Sequence, residues 1–313
     1  MSKTGYSKLE RNISKILSNF PFAKKISKYF IQIINLIIYK KKYSFKSISK
    51  VHLISPFNND KNESFFGYYD KSPLNNDNKY IIYHSTNYST RLKPRNKKKV
   101  EIYLYDITTN THIHLTDSYA FNWQIGSRLQ WINNKKFIYN DYSFKSKNYV
   151  SKIFNLDQNQ IEQVFELPIY DCYQDKFALT LNFLTFNKYE NAYSYNAHKI
   201  ENTYFDSKNE IKYLDLKNAK SKTIIDIKKI ISLKYLNSME DSNHVINHIM
   251  ISPDGSKFLF IHRWFKKGVR FERLILSDIS GLDIKIIADE RMVSHYSWIT
   301  NYKFVGYLRI NTI

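Results

Sequence analysis

The chain has 313 residues, enough to bury a sizeable core, and its composition shows no second domain of distinct character. It contains 26 Tyr and 21 Phe but only 7 Gly and 6 Pro, a balance that favours strands over helices. The formal net charge is +20, but Lys is spread along the whole chain, so we expect no nucleic-acid partner. Attraction to an anionic membrane or an acidic glycan is the alternative reading of this charge. A single cysteine, Cys172, excludes an internal disulfide and a Cys-x-x-Cys metal site.

The first fifty residues predict a basic, amphipathic helical segment. They lack the shape of a secretory signal, so we expect a cytoplasmic protein. The apolar run 29–39 has lysines on both sides and is too short to span a bilayer. Residues 24–42 are therefore expected to lie peripherally in a membrane interface, at the inner membrane. The alternative is a helix packed on the outside of the main domain or closing its base.

One unit recurs from about residue 51 onwards, among short β-branched runs separated by turn signals. Its clearest copy spans Ile249–His262 and contains Pro253-Asp254-Gly255. Pro fixes φ at the first corner of a tight turn and Gly accepts a positive φ, so this copy predicts a β-hairpin. Looser copies lie at residues 72–84, 129–139 and 296–307, with a weaker one at 176–179.

Each hairpin is followed by a third strand that ends in a polar turn, at residues 100–106, 151–157, 210–215 and 273–278. Fourth strands follow at residues 112–116, 163–167, 222–226 and 284–288. These units predict an all-β fold, a β-propeller over residues 51–313, behind the helical segment of residues 1–50. About four and a half blades are visible, since a fifth begins near Met292 and only two of its strands precede Ile313. We therefore expect an incomplete propeller.

The repeat resembles that of TolB-like and WD40-like propellers, in which Ser-Pro-Asp-Gly-Lys precedes a strand, over roughly residues 64–313. More narrowly, four segments resemble bacterial propeller proteins of surface-polysaccharide gene clusters, which are distantly similar to oligogalacturonate lyases: Phe66–Pro73, Gly126–Trp131, His248–Trp264 and Ser294–Trp298. The resemblance implies six or seven blades and a role in capsule or lipopolysaccharide biosynthesis. It also implies an acidic glycan or polysaccharide-assembly proteins as partners.

Candidate site residues follow from the register, because the innermost strand of each blade starts at the central channel. Aligning the repeats on the Phe of each second strand sets His248 level with Ser127 and Ser294, and His295 level with Arg128. Tyr68 and Tyr69 fall in the same two rows when the Ser-Pro pairs are aligned. The channel mouth is predicted to gather these side chains: Tyr68, Tyr69, Arg128, His248 and His295, with Gln130 slightly deeper.

One hypothesis for this cluster is β-elimination on an acidic sugar. Arg128 would pair a uronate carboxylate bidentately, and His248 or Tyr69 would remove the neighbouring proton. The resemblance to the lyases implies a divalent metal, Mn or Ca, that neutralises the carboxylate. The matching residue types for its ligands are His248, His262, His295 and Gln130.

A structural role is the alternative for every one of these residues. The three histidines can hydrogen-bond neighbouring blades, Arg128 and Gln130 can form a salt bridge or a backbone bond inside the channel, and the tyrosines can serve packing. The remaining histidines are assigned to surface or turn positions: His52, His84, His112, His114 and His198.

Two functions from different classes remain. The first is a carbohydrate-related propeller that binds an acidic glycan or acts on it as a lyase. The second is a non-catalytic scaffold that contacts other proteins at the membrane. The chain has no phosphate-binding Gly-rich loop, no Gly-x-Ser-x-Gly elbow and no His-Glu-x-x-His helix, which disfavours nucleotide transfer and serine hydrolysis.

Overall fold

In a computed structural model, the chain divides into two compact units, Met1–Leu53 and Ile54–Ile313. The structure describes residues 21–38, 62–90, 94, 98–183, 186, 190–195, 209–289 and 292–308. Residues 39–42 of the predicted membrane segment lie outside the described residues, as do His52 and His198.

The first unit contains one described helix, α1 (Pro21–Ile38), of 18 residues. Pro21 suits the first position of a helix, where its missing N–H leaves no hydrogen bond unmade. Apolar residues recur at helical spacing through the rest of the segment, as predicted. Among the described residues, no helix is long and apolar enough to cross a membrane.

The second unit is built from antiparallel sheets in which strands follow one another in chain order. The first sheet contains β1 (Glu63–Phe65), β2 (Tyr80–Thr86), β3 (Val100–Asp106) and β4 (Thr111–Ser118). The second contains β5 (Gln130–Trp131), β6 (Lys136–Ser143), β7 (Asn148–Asn155) and β8 (Gln160–Phe165). The third contains β9 (Asp171–Tyr173), β10 (Phe177–Thr180), β11 (Glu210–Asp215) and β12 (Ser221–Asp226).

The fourth sheet contains β13 (Asn243–Ile251), β14 (Lys257–Lys266), β15 (Val269–Asp278) and β16 (Ile284–Ala288). A fifth, two-stranded sheet contains β17 (Val293–Trp298) and β18 (Phe304–Leu308). A short helix, α2 (Ile227–Leu233), follows β12, and single 3₁₀ turns lie at Asn191–Tyr193 and Asn237–Met239. The all-β class is confirmed, and each four-stranded meander has the form of a propeller blade. Blade number and ring closure stay predictions.

Consecutive sheets pack face to face through apolar side chains. Ile102 and Leu104 of the first sheet pack with Phe137 and Phe154 of the second. Further apolar clusters join the second sheet to the third, the third to the fourth and the fourth to the fifth. Alternation along the strands produces this arrangement, since every second residue of β3 from Val100 to Leu104 is buried.

The predicted Pro-Asp-Gly turn joins β13 to β14. The Gly255 N–H donates to the carbonyl of Ser252 at 2.9 Å, and Gly255 has a φ of +74°. The Asp254 carboxylate accepts from the Ser252 hydroxyl at 2.6 Å and from the Ser256 N–H at 3.0 Å. The hairpin inferred from this motif is therefore confirmed.

We expect Gly126→Ala to destabilise the fold strongly. Gly126 has a φ of +57°, and a Cβ there would lie 2.6 Å from Cε1 of His84 and 2.7 Å from the carbonyl oxygen of Phe66. The left-handed backbone and the steric clash together should lower the free energy of unfolding by roughly 2–4 kcal/mol in urea titrations.

The matched control is Gly268→Ala. Gly268 also has a positive φ, +77°, but a Cβ there meets nothing within 4 Å. Gly268→Ala should therefore lower the free energy of unfolding by only about 1 kcal/mol, the cost of the left-handed backbone without a steric clash. Equal losses in the two variants would contradict the close approach at Gly126.

Candidate functional site

A loop after β1 carries the predicted tyrosines. Gly67 begins it with a φ of +144°, and a Cβ there would lie 3.0 Å from the backbone carbonyl atoms of Ile125. Glycine therefore lets the loop press against the residues just before β5. The following residues, Tyr68 to Lys71, carry the side chains that form the site.

Three residues, in or just before the first strand of their sheets, share a rare backbone conformation. Arg128, His248 and His295 have φ values of +54°, +57° and +40°, in the left-handed region that side chains with a Cβ seldom adopt. His295 lies at a β-bulge, since Ser294 pairs with Tyr307 while Tyr296 pairs with Gly306. Bulges re-aim the side chain at the extra residue and recur near functional sites.

His248 lies at the same kind of irregularity. In the fourth sheet Asn247 pairs with Ile261, and the next paired residue, Met250, faces Leu259. In the second sheet the Asn140 N–H donates to the Ser127 carbonyl at 2.7 Å, while Gln130 pairs with Ile138. The three bulged residues are therefore equivalent: Arg128, His248 and His295.

This equivalence corrects the predicted register, which set His248 level with Ser127 and Ser294. The cause is the length of the following turn. Ile251 pairs with Phe258 across seven positions, whereas Trp131 pairs with Phe137 across six. An alignment that counts back from the Phe of each second strand therefore places the residues of the fourth sheet one position out of register with those of the second.

Five aromatic rings form a continuous row from solvent to the buried His248. His295 and Tyr69 are exposed, and their rings lie 5.4 Å apart between centroids. Tyr69 contacts Tyr68 at 4.5 Å, and Tyr68 contacts His248 at 5.4 Å. Tyr193 packs edge-on against His248 at 4.5 Å. We call these five residues the ring row.

Hydrogen bonds fix the ring row in place. The Tyr68 hydroxyl lies 3.1 Å from Nε2 of His248. The Tyr69 hydroxyl donates to the Tyr296 carbonyl at 3.1 Å, and the Tyr296 hydroxyl donates to the His248 carbonyl. Nδ1 of His248 is buried and has no hydrogen-bond partner among the described residues.

Burial keeps the inner members of the ring row neutral. It lowers the pKa of His248 well below its usual range, and the positive charges of Arg263 and Arg128 lower that pKa further. Burial also raises the pKa of the Tyr68 phenol, as do the neighbouring tyrosines. Neither group is therefore suited to gain or lose a proton near neutral pH.

Arg128 is held by an internal carboxylate. Its Nη1 and Nη2 donate to the two oxygens of Asp70 at 3.1 and 2.8 Å, and its Nε donates to the Tyr170 carbonyl at 2.7 Å. Both side chains of the ion pair are almost fully buried. Burial alone would raise the pKa of Asp70, but Arg128 and Lys71 hold it below the usual range. Arg128 was predicted to bind a uronate carboxylate through two hydrogen bonds, but in the structure it makes these two bonds to Asp70.

A second ion pair extends this network. Lys71 donates to one oxygen of Asp171 at the start of β9, and the other oxygen accepts from the Ile251 N–H at 2.8 Å. Asp171 is 1% exposed. The loop is therefore tied by charge to the second and third sheets, and through Asp171 to the fourth.

A buried triad holds the segment that carries Tyr193. Arg263 donates to Glu272 at 2.9 Å and to Glu190 at 3.0 Å. The other oxygen of Glu272 accepts from the Val293 N–H at 3.1 Å. One carboxylate thus links β15 to the first residue of β17, and the other positions the turn that ends at Tyr193.

The predicted metal ligands do not converge. Nε2 of His262 lies 2.8 Å from Nδ1 of His244, and Nδ1 of His262 accepts from Arg273 at 3.1 Å, so both of its nitrogens are occupied. The Gln130 amide oxygen accepts from the Cys172 N–H at 3.1 Å. No group of three His, Cys, Asp or Glu able to hold a metal occurs among the described residues. The set His248, His262, His295 and Gln130 therefore does not fit a metal.

Other histidines are placed as follows. His84 was expected at the surface but is fully buried, and its Nε2 lies 2.8 Å from the Ser127 hydroxyl. His114 is exposed, as expected, and His112 is half-buried. The expectation for His84 was wrong because it took no account of the strand face, which packs His84 against the second sheet.

Sequence reasoning missed several residues of the site. Asp70 and Lys71 belong to the recognised segment Phe66–Pro73, and their charges beside two tyrosines were a usable signal. Tyr193 and Glu190 lie between recognisable repeats, where neither periodicity nor a motif marked them. Tyr170 precedes a short strand in the weakest repeat copy.

Two clefts lie away from the ring row. The larger, about 590 Å³, is lined by Lys136, Lys176 and Lys217 together with Glu162, Asp175 and Asp215. The smaller, about 350 Å³, is lined by the aromatic side chains Tyr119, Tyr142 and Phe144 and by charged ones, Asp141, Lys145, Lys152 and Glu166. Charges of both signs in the larger cleft indicate no particular ligand class.

No protein-family model and no curated protein matches this chain. Among solved structures, it is similar to the β-propeller domain of the trilobed protease from Pyrococcus furiosus, with 16% identity and a TM-score of 0.45. The match covers 76% of this chain and 62% of that one, so the chain spans less than two thirds of this relative.

Two lyases are also similar. An oligogalacturonate lyase in complex with manganese has 14% identity and a TM-score of 0.39, with 75% of this chain and 69% of that one covered. An oligogalacturonate lyase from Vibrio parahaemolyticus has 12% identity and a TM-score of 0.37, covering 74% and 68%. Identities this low carry no conclusion about function.

We expect Asp70→Asn to destabilise the second unit by about 3–5 kcal/mol, because it leaves the buried guanidinium of Arg128 without its counter-ion. Urea unfolding measures the loss. The control is Asp157→Asn, since the pair of Lys135 with Asp157 is exposed on both sides and should contribute nothing measurable. Equal behaviour of the two variants would contradict a central role for the buried pair.

The free energy of unfolding should fall as the pH drops from about 6.5 towards 4. Burial lowers the pKa of His84 to about 4, and burial also lowers those of His248 and His262. The unfolded chain then binds more protons than the native one, so stability is fully present above this window and lost within it. His84 alone should account for roughly 3 kcal/mol.

Urea titrations at several pH values above and below 6.5 test this expectation. In His84→Gln the free energy of unfolding should depend less steeply on pH than in the parent. The difference in slope should correspond to about one proton fewer taken up on unfolding. His114→Gln, at an exposed histidine, is the control. An unchanged slope in His84→Gln would contradict the buried, neutral state of His84.

Proposed function

We propose that this chain binds an acidic glycan along the ring row. The observation that carries the proposal is the continuous row itself, which runs from the exposed His295 and Tyr69, the latter 48% exposed, through Tyr68 to the buried His248. Aromatic rings with a polar edge supply large contact area at low entropic cost, and sugar rings present both apolar faces and hydroxyls.

The charges around the ring row favour an anionic ligand. Arg263, Arg128 and Arg270 all lower the pKa of His248, so their positive potential reaches the site. Arg128 and Arg263 are neutralised by buried carboxylates. Arg270 also lies 3.5 Å from Glu272, through its Nε, but its side chain is 55% exposed and can reach a ligand. A uronate carboxylate near this arginine would gain a charge-assisted hydrogen bond.

The orphaned nitrogen of His248 favours a hydroxyl-bearing ligand. One ring nitrogen faces Tyr68, and the other, Nδ1, has no partner in the part of the chain that the structure describes. In either tautomer a hydroxyl satisfies the open nitrogen, because a hydroxyl both donates and accepts. A buried polar atom without a partner costs about 1–3 kcal/mol, which a ligand or an ordered water would recover.

Binding is better supported than elimination. The proposed base would be His248 or Tyr69, with Arg128 as the carboxylate clamp, but Arg128 already pairs with Asp70. Burial raises the pKa of Tyr69 and lowers that of His248, which weakens both as proton acceptors at neutral pH. The catalytic roles of Arg128, His248 and Tyr69 stay predictions.

A scaffold for protein contacts is the second candidate, favoured by the fifth sheet. Val305 and Tyr307 alternate along β18 and are 58% and 68% exposed. Ile299 and Tyr302 in the preceding turn are exposed as well. Contiguous exposed apolar side chains commonly mark protein contacts.

Calorimetric titration with polyuronate oligomers (galacturonate, alginate and hyaluronan) and with neutral malto-oligosaccharides tests the first candidate. We expect binding of at least one polyuronate and not of the neutral sugars. Tyr69→Ala should weaken that binding about tenfold, the equivalent of about 1.4 kcal/mol, through loss of ring contact.

The matched control is Tyr302→Ala, which removes another exposed tyrosine, in the turn between β17 and β18 and outside the ring row. It should leave the dissociation constant unchanged. Absence of polyuronate binding, or equal weakening by both substitutions, would remove the glycan proposal. Loss of a protein contact through Tyr302→Ala alone would support the scaffold instead.

A further inference from the structure

We propose that α1 lies in the interface of an anionic lipid bilayer, with its apolar face inserted and its axis in the plane of the membrane. This inference is independent of the glycan site, which belongs to the other unit. It starts from seven large apolar side chains that α1 leaves exposed: Ile26, Tyr29, Phe30, Ile31, Ile34, Ile37 and Ile38.

These side chains are not evenly distributed around the helix. Ile26, Phe30 and Ile37, with the half-buried Ile33, recur at spacings of four, three and four residues, which puts them on one face. The opposite face takes the positions of Lys24, Lys28, Gln32 and Asn35, at spacings of four, four and three residues. A wide apolar face opposite a narrower polar one is the pattern of a helix that lies in an interface.

Charge identifies which surface the helix fits. The sequence has no acidic residue between Glu10 and Asp60, whereas ten Lys or Arg residues occur there. Lys24, Lys25 and Lys28 lie in the first half of α1, and Lys40 to Lys42 follow the helix directly in sequence. Basic residues at both ends of an exposed apolar face complement anionic headgroups, whereas a second copy of the same segment would repel them.

The length of α1 distinguishes lying on a membrane from crossing it. The helix has 18 residues and contains Gln32, Asn35 and three lysines within its span. The hydrocarbon core of a bilayer needs about 20 predominantly apolar residues. An in-plane position instead lets the apolar face enter the acyl boundary while the polar positions stay in the headgroup region.

Vesicle co-sedimentation of the full chain tests the inference. We expect the protein to pellet with vesicles that contain phosphatidylglycerol, and much less with vesicles of phosphatidylcholine alone. Raising the salt concentration should weaken the binding, because it screens the lysines. Absence of binding to the phosphatidylglycerol vesicles would overturn the proposal.

A pair of charge-matched variants separates apolar insertion from simple electrostatic attraction. Phe30→Glu places a carboxylate on the apolar face and should lower the partition coefficient at least about tenfold. Gln32→Glu adds the same charge on the opposite face, at an exposed position, and should stay close to the parent. Equal weakening of both variants would overturn insertion.

Light scattering without lipid completes the test. A monomeric parent supports a membrane partner for α1. A dimeric parent that Phe30→Glu converts to a monomer would overturn the proposal, because the apolar face would then be covered by a second copy. Phe30→Glu should retain the parent's thermal unfolding transition, and a lowered transition would show that the face packs within the protein instead.

Discussion

The arrangement of the second unit depends on charges taken out of water. Arg128 and Asp70 form a bidentate pair in which both side chains are almost fully buried, and Lys71 pairs with the equally buried Asp171. Desolvating such ions costs several kcal/mol each, which is recovered only if the partners and remaining hydrogen bonds are in place. The Tyr170 carbonyl and the Ile251 N–H supply those bonds. A single loop thereby fixes the relative positions of three sheets.

Strained backbone conformations orient the side chains that contact the loop after β1. Arg128, His248 and His295 adopt a left-handed φ at equivalent points, in or just before the first strands of three sheets, and each such residue costs about 1–3 kcal/mol. The extra residue of a bulge redirects its side chain relative to its strand neighbours. At Arg128 the result is the ion pair with Asp70. At His248 and His295 it is contact with Tyr68 and Tyr69.

The strands and turns could be predicted because their signals lie within a few neighbouring residues. The contacts of the site could not, because they join residues that are far apart in the sequence. Alternation along β3 and the turn at Pro253–Gly255 are encoded within a few residues, so strands and hairpins could be derived. The partner of Arg128 lies 58 residues away, and nothing local selects Asp70 over a ligand carboxylate. The shift of His248 by one position depends on a turn that is one residue longer than the corresponding turns of the second and fifth sheets. Burial of His84 depends on which strand face packs.

The pKa values of the buried ring-row residues suit the binding of a ligand better than proton transfer to or from it. A general base should have a pKa near the operating pH, whereas burial and nearby arginines move the pKa of His248 well below its ordinary value. The same burial keeps Tyr68 as a neutral phenol. Neutral groups in a fixed hydrogen bond lose little when a ligand displaces water from them, because no charge has to be desolvated. The buried, neutral groups therefore disfavour proton transfer, and in the glycan complex that we propose the partly exposed Arg270 is the arginine that meets the anion.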